Sequence, residues 1–385
     1  MKIRTVILML GSLVAFGTFE AMAPSFADQT GSRNVTKAEL RRRAKSHGRN
    51  LLFLGDEKAY LQRVDSLRNE HGLFLDRRSD RSIVSTAATG LGVLALAEGS
   101  SRGLRDREEV LRIARTSFEQ TVRNNPSKNR GWLSHFTNPS GMPKSTSEVS
   151  TIDTAIFYSG LLQASRLLED RELENDVLNS LQSIDKAFVM RDDVFLHGFY
   201  WSETGDQAEE TPNFIPHRWN DSSEGVILYH LFGLPFPMQI LRTDYPLFVY
   251  AYPLCFYDDP VYDRFLQEAI EGQINQFGYW GVTSTDGPQG YVTLDRNVIS
   301  PVLIGSIASK YSKYLKSLKS INIKEAVGSM HVESGWIGTD DLTIDLSSAY
   351  VLFSRWTRQE VLSVKRSSES PVPDKADDVV EATAS

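Results

Sequence analysis

The amino-acid sequence predicts an all-α fold, and three features of its pattern support this prediction. Apolar residues recur at spacings of three and four through most of the chain, which is the period of an amphipathic helix. Alternation of apolar and polar residues nowhere persists long enough to indicate a large sheet. Loops that carry Gly and aromatic residues separate the helical segments, namely 71–74, 131–136, 195–201, 214–219, 278–281 and 335–338. The predicted helices are 51–67, 85–97, 106–122, 151–169, 172–188, 223–232, 262–277, 300–315 and 343–355.

The predicted helices differ in how they should pack. Segment 85–97 is small and apolar on nearly all sides, which favours a helix that is buried on every face. Segment 106–122 is amphipathic, and Asp106 followed by Glu108 and Glu109 is typical of a helix N-terminus. The connecting loops recur at irregular intervals, which argues against a short solenoid repeat. A toroid of alternating inner and outer helices, which gathers many loops at one mouth, fits these observations.

The two ends of the chain differ in composition from its body. Residues 1–27 resemble a secretory signal peptide, because Lys2 and Arg4 precede an apolar run that is too short to span a membrane comfortably. An uncleaved anchor is the alternative interpretation. Residues 28–50 form a polar, basic leader, residues 51–366 the folded domain, and residues 367–385 have the composition of a disordered tail. We therefore expect a periplasmic or secreted bacterial protein.

Charge and cysteine content narrow the classes of partner. The net charge of −7 and the isoelectric point near 5.6 argue against a nucleic-acid partner, because phosphate binding needs a concentrated basic face. Cys255 is the only cysteine, so the sequence contains no motif for a disulfide, a zinc site or an iron–sulfur site. We expect no metal, no cofactor and no membrane span after signal cleavage. The oligomeric state does not follow from the sequence.

Aromatic residues in the predicted loops indicate a carbohydrate ligand. A sugar ring has an apolar C–H face that aromatic rings can cover, and a rim of hydroxyls that Arg, His and carboxylates can satisfy. A site for a sugar chain needs several such units side by side. The alternative interpretation is that loop tryptophans close the ends of the core. The predicted sugar-binding side chains are Trp132, Trp201, His217, Arg218, Trp219, Trp280 and Trp336.

Glycoside hydrolysis needs two carboxyl groups, one protonated to assist the leaving oxygen and one ionised to activate water or attack carbon. Glu224 fits the first role, because it follows an aromatic segment and opens an apolar helix, where burial can raise its pKa. The alternative is a helix-capping glutamate, with Asp221 or Ser222 as the N-cap. Each candidate for the second role is equally suited to a cap or a turn, and spacing does not choose among them. These candidates are Asp153, Asp286 and Asp345.

Five segments, in the same order along the chain, resemble motifs of the bacterial glucoamylase-like proteins. Residues 82–92 (SIVSTAATGLG) resemble the S-I-A-A-T-G-F-G segment of that family, and residues 147–155 (SEVSTIDTA) resemble its S-E-L-S-T-I-D-T-A. Residues 215–224 (IPHRWNDSSE) resemble P-Y-R-W-D-G-Y-N-E, and residues 279–291 (YWGVTSTDGPQGY) resemble W-G-L-T-A-S-D-G-P-x-G-Y. The pair Ile344-Asp345 is similar to the Ile-Asp of the closing G-I-D-Q-G-P helix.

The resemblance covers roughly residues 50–356 and implies an (α/α)6 barrel. Characterised relatives, in glycoside hydrolase family 144 and its clan, act on β-1,2-glucan, mainly as inverting endo-hydrolases. By this resemblance Glu224 is the general acid and Asp345 the general base. Asp286 is the alternative base, and Asp153 is a sugar-binding residue.

The chain departs from the family in two motifs, and its stretch between Asp286 and Asp345 is shorter than in relatives. Relatives carry a polar segment similar to H-Q-Y-S-H where residues 249–255 read VYAYPLC, and the closing D-Q-G-P has become the segment 345–348, DLSS. These departures affect the predicted base, linkage preference and activity. Two alternatives to an inverting endo-β-1,2-glucanase therefore follow from the sequence. One is a non-catalytic glycan-binding or envelope-assembly protein on the same fold, and the other is a β-1,2-glucan transglycosylase.

Overall fold

The computed structural model describes residues 56–202, 211–237, 242, 244–321, 323 and 328–358, and the helical backbone from there to Ser368. These residues belong to one compact unit, Lys45–Ser385. The predicted signal peptide, the basic leader, residues 51–55 of the predicted helix 51–67 and residues 369–385 of the predicted tail lie outside the described residues. None of the helices in the described part is long and apolar enough to cross a membrane.

The described part of the chain is predominantly helical, as the sequence predicts. Short 3-10 helices cover Ser127–Asn129, Ser223–Gly225, Tyr252–Cys255 and Ser312–Leu318. The α-helices are α1 (Glu57–Asp65), α2 (Thr86–Ser101), α3 (Arg107–Arg123), α4 (Thr151–Leu167), α5 (Arg171–Gln182), α6 (Lys186–Val189), α7 (Val226–Leu231), α8 (Phe248–Ala251), α9 (Pro260–Phe277), α10 (Pro301–Lys310) and α11 (Thr343–Ser368).

Most predicted helices lie within a few residues of their expected bounds, and three differ. The predicted helix 172–188 is interrupted, because the side chain of Asp185 accepts the Phe188 N–H and starts the separate helix α6. The predicted helix 300–315 changes at Tyr311, where the backbone leaves the helical region (φ −115°, ψ 52°) and a 3-10 helix follows. Helix α11 continues beyond residue 355 to Ser368.

Short antiparallel strands connect the helices. Strand β1 pairs with β2, β7 with β8, and β9 with β10, while β5 pairs with β3, β4 and β6. The strands are β1 (Val84–Ser85), β2 (Phe136–Thr137), β3 (Val149–Ser150), β4 (Met190–Arg191), β5 (Val194–Ser202), β6 (Thr211–Arg218), β7 (Thr285–Gly287), β8 (Gly290–Val292), β9 (Val298–Ile299) and β10 (Met330–His331).

The prediction that segments 195–201 and 214–219 are loops is wrong, because most of both segments forms the long β5–β6 hairpin. Strand β5 is rich in aromatic residues, which favour an extended backbone. Its Phe195 and Phe199 are fully buried, whereas Tyr200 between Phe199 and the strand end is 40% exposed. The hairpin thus packs some of its aromatic side chains into the core and exposes others, such as Tyr200, on the surface.

The helices fall into two classes by burial. Every residue of α2 from Thr86 to Gly99 is buried, and α4 is buried from Thr151 to Ser165 except at Gln163. Helices α3 and α5 bury only one face each. Fully buried helices and helices with one buried face therefore alternate along the chain from α2 to α5.

Helices α2 and α4 meet through two glycines. A Cβ atom on Gly90 would lie 2.4 Å from the Cα of Phe157, and one on Gly160 would lie 2.3 Å from the carbonyl oxygen of Gly90. Both distances are far below ordinary contact between carbon atoms. The absence of side chains therefore lets the two backbones touch, and this contact locates the N-terminus of α4, which carries Asp153.

We expect Gly90→Ala to destabilise the protein by about 1–3 kcal/mol, because the added methyl group forces the backbones of α2 and α4 apart. Gly272→Ala in α9 is the matched control, since a Cβ there meets nothing within 4 Å and alanine is favoured inside a helix. Urea unfolding of both variants measures the difference. Equal free energies of unfolding for the two variants would contradict the close helix contact.

Candidate functional site

Glu224 lies in the 3-10 helix Ser223–Gly225, just before α7. Ser222 caps this turn, and its Oγ accepts a hydrogen bond from the Glu224 N–H at 3.3 Å. In a capping box the glutamate stands three residues after the N-cap, whereas Glu224 stands only two residues after Ser222. The carboxyl group of Glu224 is therefore free for another role.

Glu224 lines a cavity of about 520 Å³, a volume typical of sites for small molecules or parts of larger ones. One wall is aromatic. The indole of Trp219 stacks on the imidazole of His197, with ring centroids 5.4 Å apart, and meets His217 edge-on at 5.0 Å. The Trp219 indole N–H donates to Oγ1 of Thr151 at 3.0 Å, so this wall is attached to the start of α4.

The environment of Glu224 favours its protonated form. Glu224 is only 7% exposed, and among the described residues no donor reaches its carboxyl oxygens. Burial, and then the negative charge of Asp153, raise the pKa of Glu224 to about 8, while the positive charge of His135 opposes the shift. The group therefore holds a proton at neutral pH and can donate it into the cavity.

A charged network next to Glu224 is centred on His135. Its Nδ1 lies 2.8 Å from Oε1 of Glu148, and its Nε2 lies 3.5 Å from Oδ1 of Asp153. Burial alone would lower the pKa of His135, but Asp153 and Glu148 hold it at about 9. His135 is therefore a cation at neutral pH. Asp153 also accepts a hydrogen bond from Oγ of Ser150, the N-cap of α4, which fixes its position.

Asp345, in the first turn of α11, titrates near neutral pH for a similar reason. Burial raises the pKa of Asp345 to about 7; the hydrogen bond from Oγ1 of Thr285, at 3.0 Å, opposes this shift, and the charges of Asp286 and Asp76 add to it. Asp286 instead forms an ion pair with Arg77 at 2.9 Å. The two candidate bases therefore differ in their partners, a hydroxyl for Asp345 and a guanidinium for Asp286.

Two tyrosines connect the surroundings of Glu224 and Asp345. Tyr252 begins the 3-10 helix Tyr252–Cys255, which packs against both α11 and the turn that carries Glu224. Tyr291 lies on β8, directly opposite Asp286 on β7. Burial, and then charges that include both Asp345 and Glu224, raise the pKa of each tyrosine. The two carboxyl groups therefore lie within electrostatic reach of the same two side chains.

Two of the predicted sugar-binding tryptophans belong to the core. Trp132 and Trp280 have no exposed surface. The indole N–H of Trp132 donates to the carbonyl oxygen of Asp185 at 2.9 Å, and that of Trp280 donates to the carbonyl oxygen of Tyr314 at 3.1 Å. Neither ring is available to a sugar in this conformation. For these two residues the structure agrees with the alternative interpretation, that loop tryptophans close the ends of the core.

The other predicted side chains are divided between the cavity and the periphery. His217 and Trp219 line the cavity, whereas Trp201, Arg218 and Trp336 are not part of its lining. The indole N–H of Trp201 donates to Oδ1 of Asn129 at 2.8 Å. Arg218 forms an ion pair with the exposed Asp192 at 2.9 Å. Trp336 is half-buried in the turn after β10.

Several residues of the site are absent from the predicted set: His135, Glu148, His197, Tyr252 and Tyr291. His135 and Glu148 stand in segments that the sequence already singles out, one in the aromatic loop 131–136 and one in the motif 147–155. The sequence does not show that the His135 and Glu148 side chains bind each other in the folded protein. Among the described residues, no group of three or more His, Cys, Asp or Glu side chains is arranged to hold a metal ion.

No protein-family model matches this sequence, and no curated protein matches it either. Solved structures do match. A Bacteroides uniformis protein provisionally named a glucoamylase has a TM-score of 0.64 at 17% identity, over 83% of this chain and 93% of that chain. A β-1,2-glucanase from Parabacteroides distasonis has a TM-score of 0.61 at 16% identity, over 81% of this chain and 57% of that chain.

An endo-β-1,2-glucanase from Chitinophaga pinensis, solved with sophorotriose and glucose, has a TM-score of 0.58 at 15% identity, over 81% of this chain and 93% of that chain. Likeness at these identities concerns the fold. The chain therefore shares its fold with glucoamylase-like proteins and β-1,2-glucanases, which is the group that its motifs resemble.

We expect Glu224→Gln to stabilise the protein at neutral pH. The folded carboxyl ionises only near pH 8, whereas in the unfolded chain it ionises near its ordinary value of 4.5, so the wild type loses stability as the pH rises between these values. At pH 7 the gain for the variant is on the order of 3 kcal/mol, from a difference of about 2.5 pH units. Urea unfolding near pH 4, where the gain should vanish, and near pH 7 measures it.

Glu148→Gln is the control with the opposite expected sign. Burial alone would raise the pKa of Glu148, but the hydrogen bond and charge of His135 hold it below its ordinary value. Its carboxylate therefore contributes stability at neutral pH, which is lost as the pH falls through the pKa of the folded state. If both variants changed stability in the same direction at neutral pH, the electrostatic roles assigned to the two glutamates would be wrong.

Proposed function

We propose that this protein is an exported glycoside hydrolase that cleaves a β-glucan, as an inverting endo-β-1,2-glucanase on an (α/α)6 barrel. The observation that carries the proposal is Glu224, a carboxyl group that stays protonated at neutral pH in the wall of an open cavity. A general acid needs both properties, since it must hold a proton at the working pH and reach the substrate. The family-like motifs and the β-1,2-glucanases with the same fold support the substrate class.

In the proposed reaction Glu224 gives its proton to the glycosidic oxygen while the bond from this oxygen to the anomeric carbon breaks. A water molecule forms the new bond to that carbon from the opposite face, and its proton passes to the carboxylate of Asp345, directly or through a substrate hydroxyl. The products are two shorter chains, one with a new reducing end of inverted configuration. Proton exchange with solvent then restores both carboxyl groups.

Asp345 is the proposed base because its partner leaves its charge available. The Thr285 hydroxyl contributes one hydrogen bond to Asp345, whereas Asp286 is held in an ion pair with Arg77 at 2.9 Å. A pKa of Asp345 near 7 also lies close to the working pH, where a general base is most effective. Asp153, which raises the pKa of Glu224 and pairs with His135, is proposed as a residue that supports the acid and contacts the sugar.

A non-catalytic glycan-binding protein is the second candidate, and one observation favours it. In place of the polar segment of relatives, the segment 249–255 is largely apolar, and it is buried. Such a protein would bind the glucan and release no reducing ends. A transglycosylase would produce new chain lengths or rings without a net gain of reducing ends, so the same assay distinguishes all three activities.

We expect the wild type to release reducing ends from β-1,2-glucan, and Glu224→Gln to lose turnover by a factor of about 10²–10⁴ while it still binds the glucan. Glu119→Gln, on the exposed face of α3, is the matched control and should retain full turnover. The measurement is a panel of β-glucans with products separated by size. Binding without cleavage by the wild type would favour the non-catalytic glycan-binding protein. Cleavage of only a differently linked glucan would overturn the proposed specificity for the β-1,2 linkage.

We expect kcat/KM to follow a bell-shaped pH profile with limbs near pH 7 and pH 8, because Asp345 must be ionised and Glu224 protonated in the free enzyme. Asp286→Asn removes a negative charge near Asp345, lowers the pKa of Asp345 and moves the acidic limb to lower pH. The basic limb should not move. Abolished turnover in Asp286→Asn, with glucan binding retained, would instead identify Asp286 as the base.

A further inference from the structure

Two tyrosines are the most exposed large aromatic side chains of the described residues, Tyr200 at 40% and Tyr291 at 56%. Exposed aromatic rings that belong to a concave site commonly mark a binding surface, because covering them removes apolar area from water. Both rings are associated with the proposed site. Tyr200 lines the cavity, and Tyr291 lies within electrostatic reach of Glu224 and Asp345.

Tyr200 belongs to the group of residues on the acid side of the site. It lies on β5, one residue beyond the buried Phe199. Burial, and then the charge and hydrogen bond of Glu148, raise the pKa of Tyr200. Glu148 is held in turn by His135 at 2.8 Å. Tyr200 and Glu148 line the same cavity, and the Tyr200 ring is exposed there.

Tyr291 belongs to the group of residues on the base side. It lies on β8, directly opposite Asp286, and the β7–β8 hairpin is tied to its surroundings at two points. Arg77 binds Asp286 at 2.9 Å, and Thr285 donates to Asp345 at 3.0 Å. The Tyr291 side chain is 56% exposed, so its ring is open to a ligand on this side.

The two rings lie near different carboxyl groups. Tyr200 lines the same cavity as Glu224. Tyr291 stands in the β7–β8 hairpin, whose Thr285 binds Asp345. The two rings supply the apolar contacts that Trp132 and Trp280, as core residues, cannot make.

We propose that Tyr200 and Tyr291 are the rings on which the glucan stacks, one on each side of the bond to be cleaved. Each ring covers the apolar C–H face of one sugar unit. The ligand is an uncharged chain of pyranose rings. This inference rests on the proposed function, and it adds the two side chains on which the glucan binds.

The test compares alanine and phenylalanine variants at both tyrosines with β-1,2-glucan as the substrate. Tyr291→Ala and Tyr200→Ala should each raise KM by about tenfold to a hundredfold, the effect of losing most of one buried aromatic side chain, with kcat changed by less than about threefold. Tyr291→Phe and Tyr200→Phe keep the ring and should stay within about threefold of the wild type in both constants. Leu178→Ala, 37% exposed on α5, is the control for loss of an exposed apolar side chain.

Binding of the glucan to each variant in the Glu224→Gln background gives an affinity that does not depend on turnover. Unchanged KM and affinity in the alanine variants would overturn the proposal. A loss of kcat without a change in KM in Tyr291→Phe would also overturn it, because the hydroxyl would then act in proton transfer. If an alanine variant does not fold, reduced affinity of the folded phenylalanine variant is the overturning result. A wild type that neither binds nor cleaves any β-glucan contradicts the proposed function itself, before any variant is compared.

Discussion

The chemistry of this site depends on one physical constraint, the burial of the Glu224 carboxyl beside a second carboxyl group, Asp153. A glutamate in water is ionised at neutral pH, whereas removal from water and a neighbouring negative charge both favour the proton. His135 acts in the opposite direction and limits the shift. The three groups stand on three separate parts of the chain, namely the turn before α7, the first turn of α4 and the loop before β2. The pKa near 8 is therefore a property of the tertiary structure and depends on how accurately these parts are held.

The helices supply this accuracy. Gly90 lets α2 touch α4, and the start of α4 then carries both Asp153 and Thr151, whose hydroxyl anchors Trp219 in the cavity wall. The hairpins carry most of the aromatic and polar side chains of the site. The β5–β6 hairpin forms the aromatic wall of the cavity, and the β7–β8 hairpin carries Asp286 and Tyr291 near Asp345. The fully buried helices thus act as the frame, and the extended segments between them present the polar and aromatic groups to the cavity.

Much of this frame could be predicted from the sequence, because helix periodicity is a local property. The small, apolar segment 85–97 is indeed a helix buried on every face, and Asp106 does cap α3. The hairpin could not be recognised, since Phe195 and its neighbours alternate too irregularly to be distinguished from an aromatic loop. Whether Trp132 faces a ligand or the core depends on its contact with Phe232, 100 residues away, which no local pattern contains. The roles of Glu224 and Asp345 come from the resemblance and stay predictions, although the structure provides each with an environment suited to its role.

The departure at residues 249–255 has a consequence for both carboxyl groups at once. Tyr252 is buried between the turn of Glu224 and helix α11, in a segment where relatives have polar groups. An apolar segment at this place lowers the local polarity, which favours the neutral form of Glu224 and of Asp345 alike. The same segment that helps the acid keep its proton therefore makes the base harder to ionise, and the two pKa values are about 8 and about 7. The proposed reaction needs Glu224 protonated and Asp345 ionised, so its working pH range lies around these two values. An apolar segment thus moves the pH range of the proposed chemistry upward without removing either of the groups that carry it.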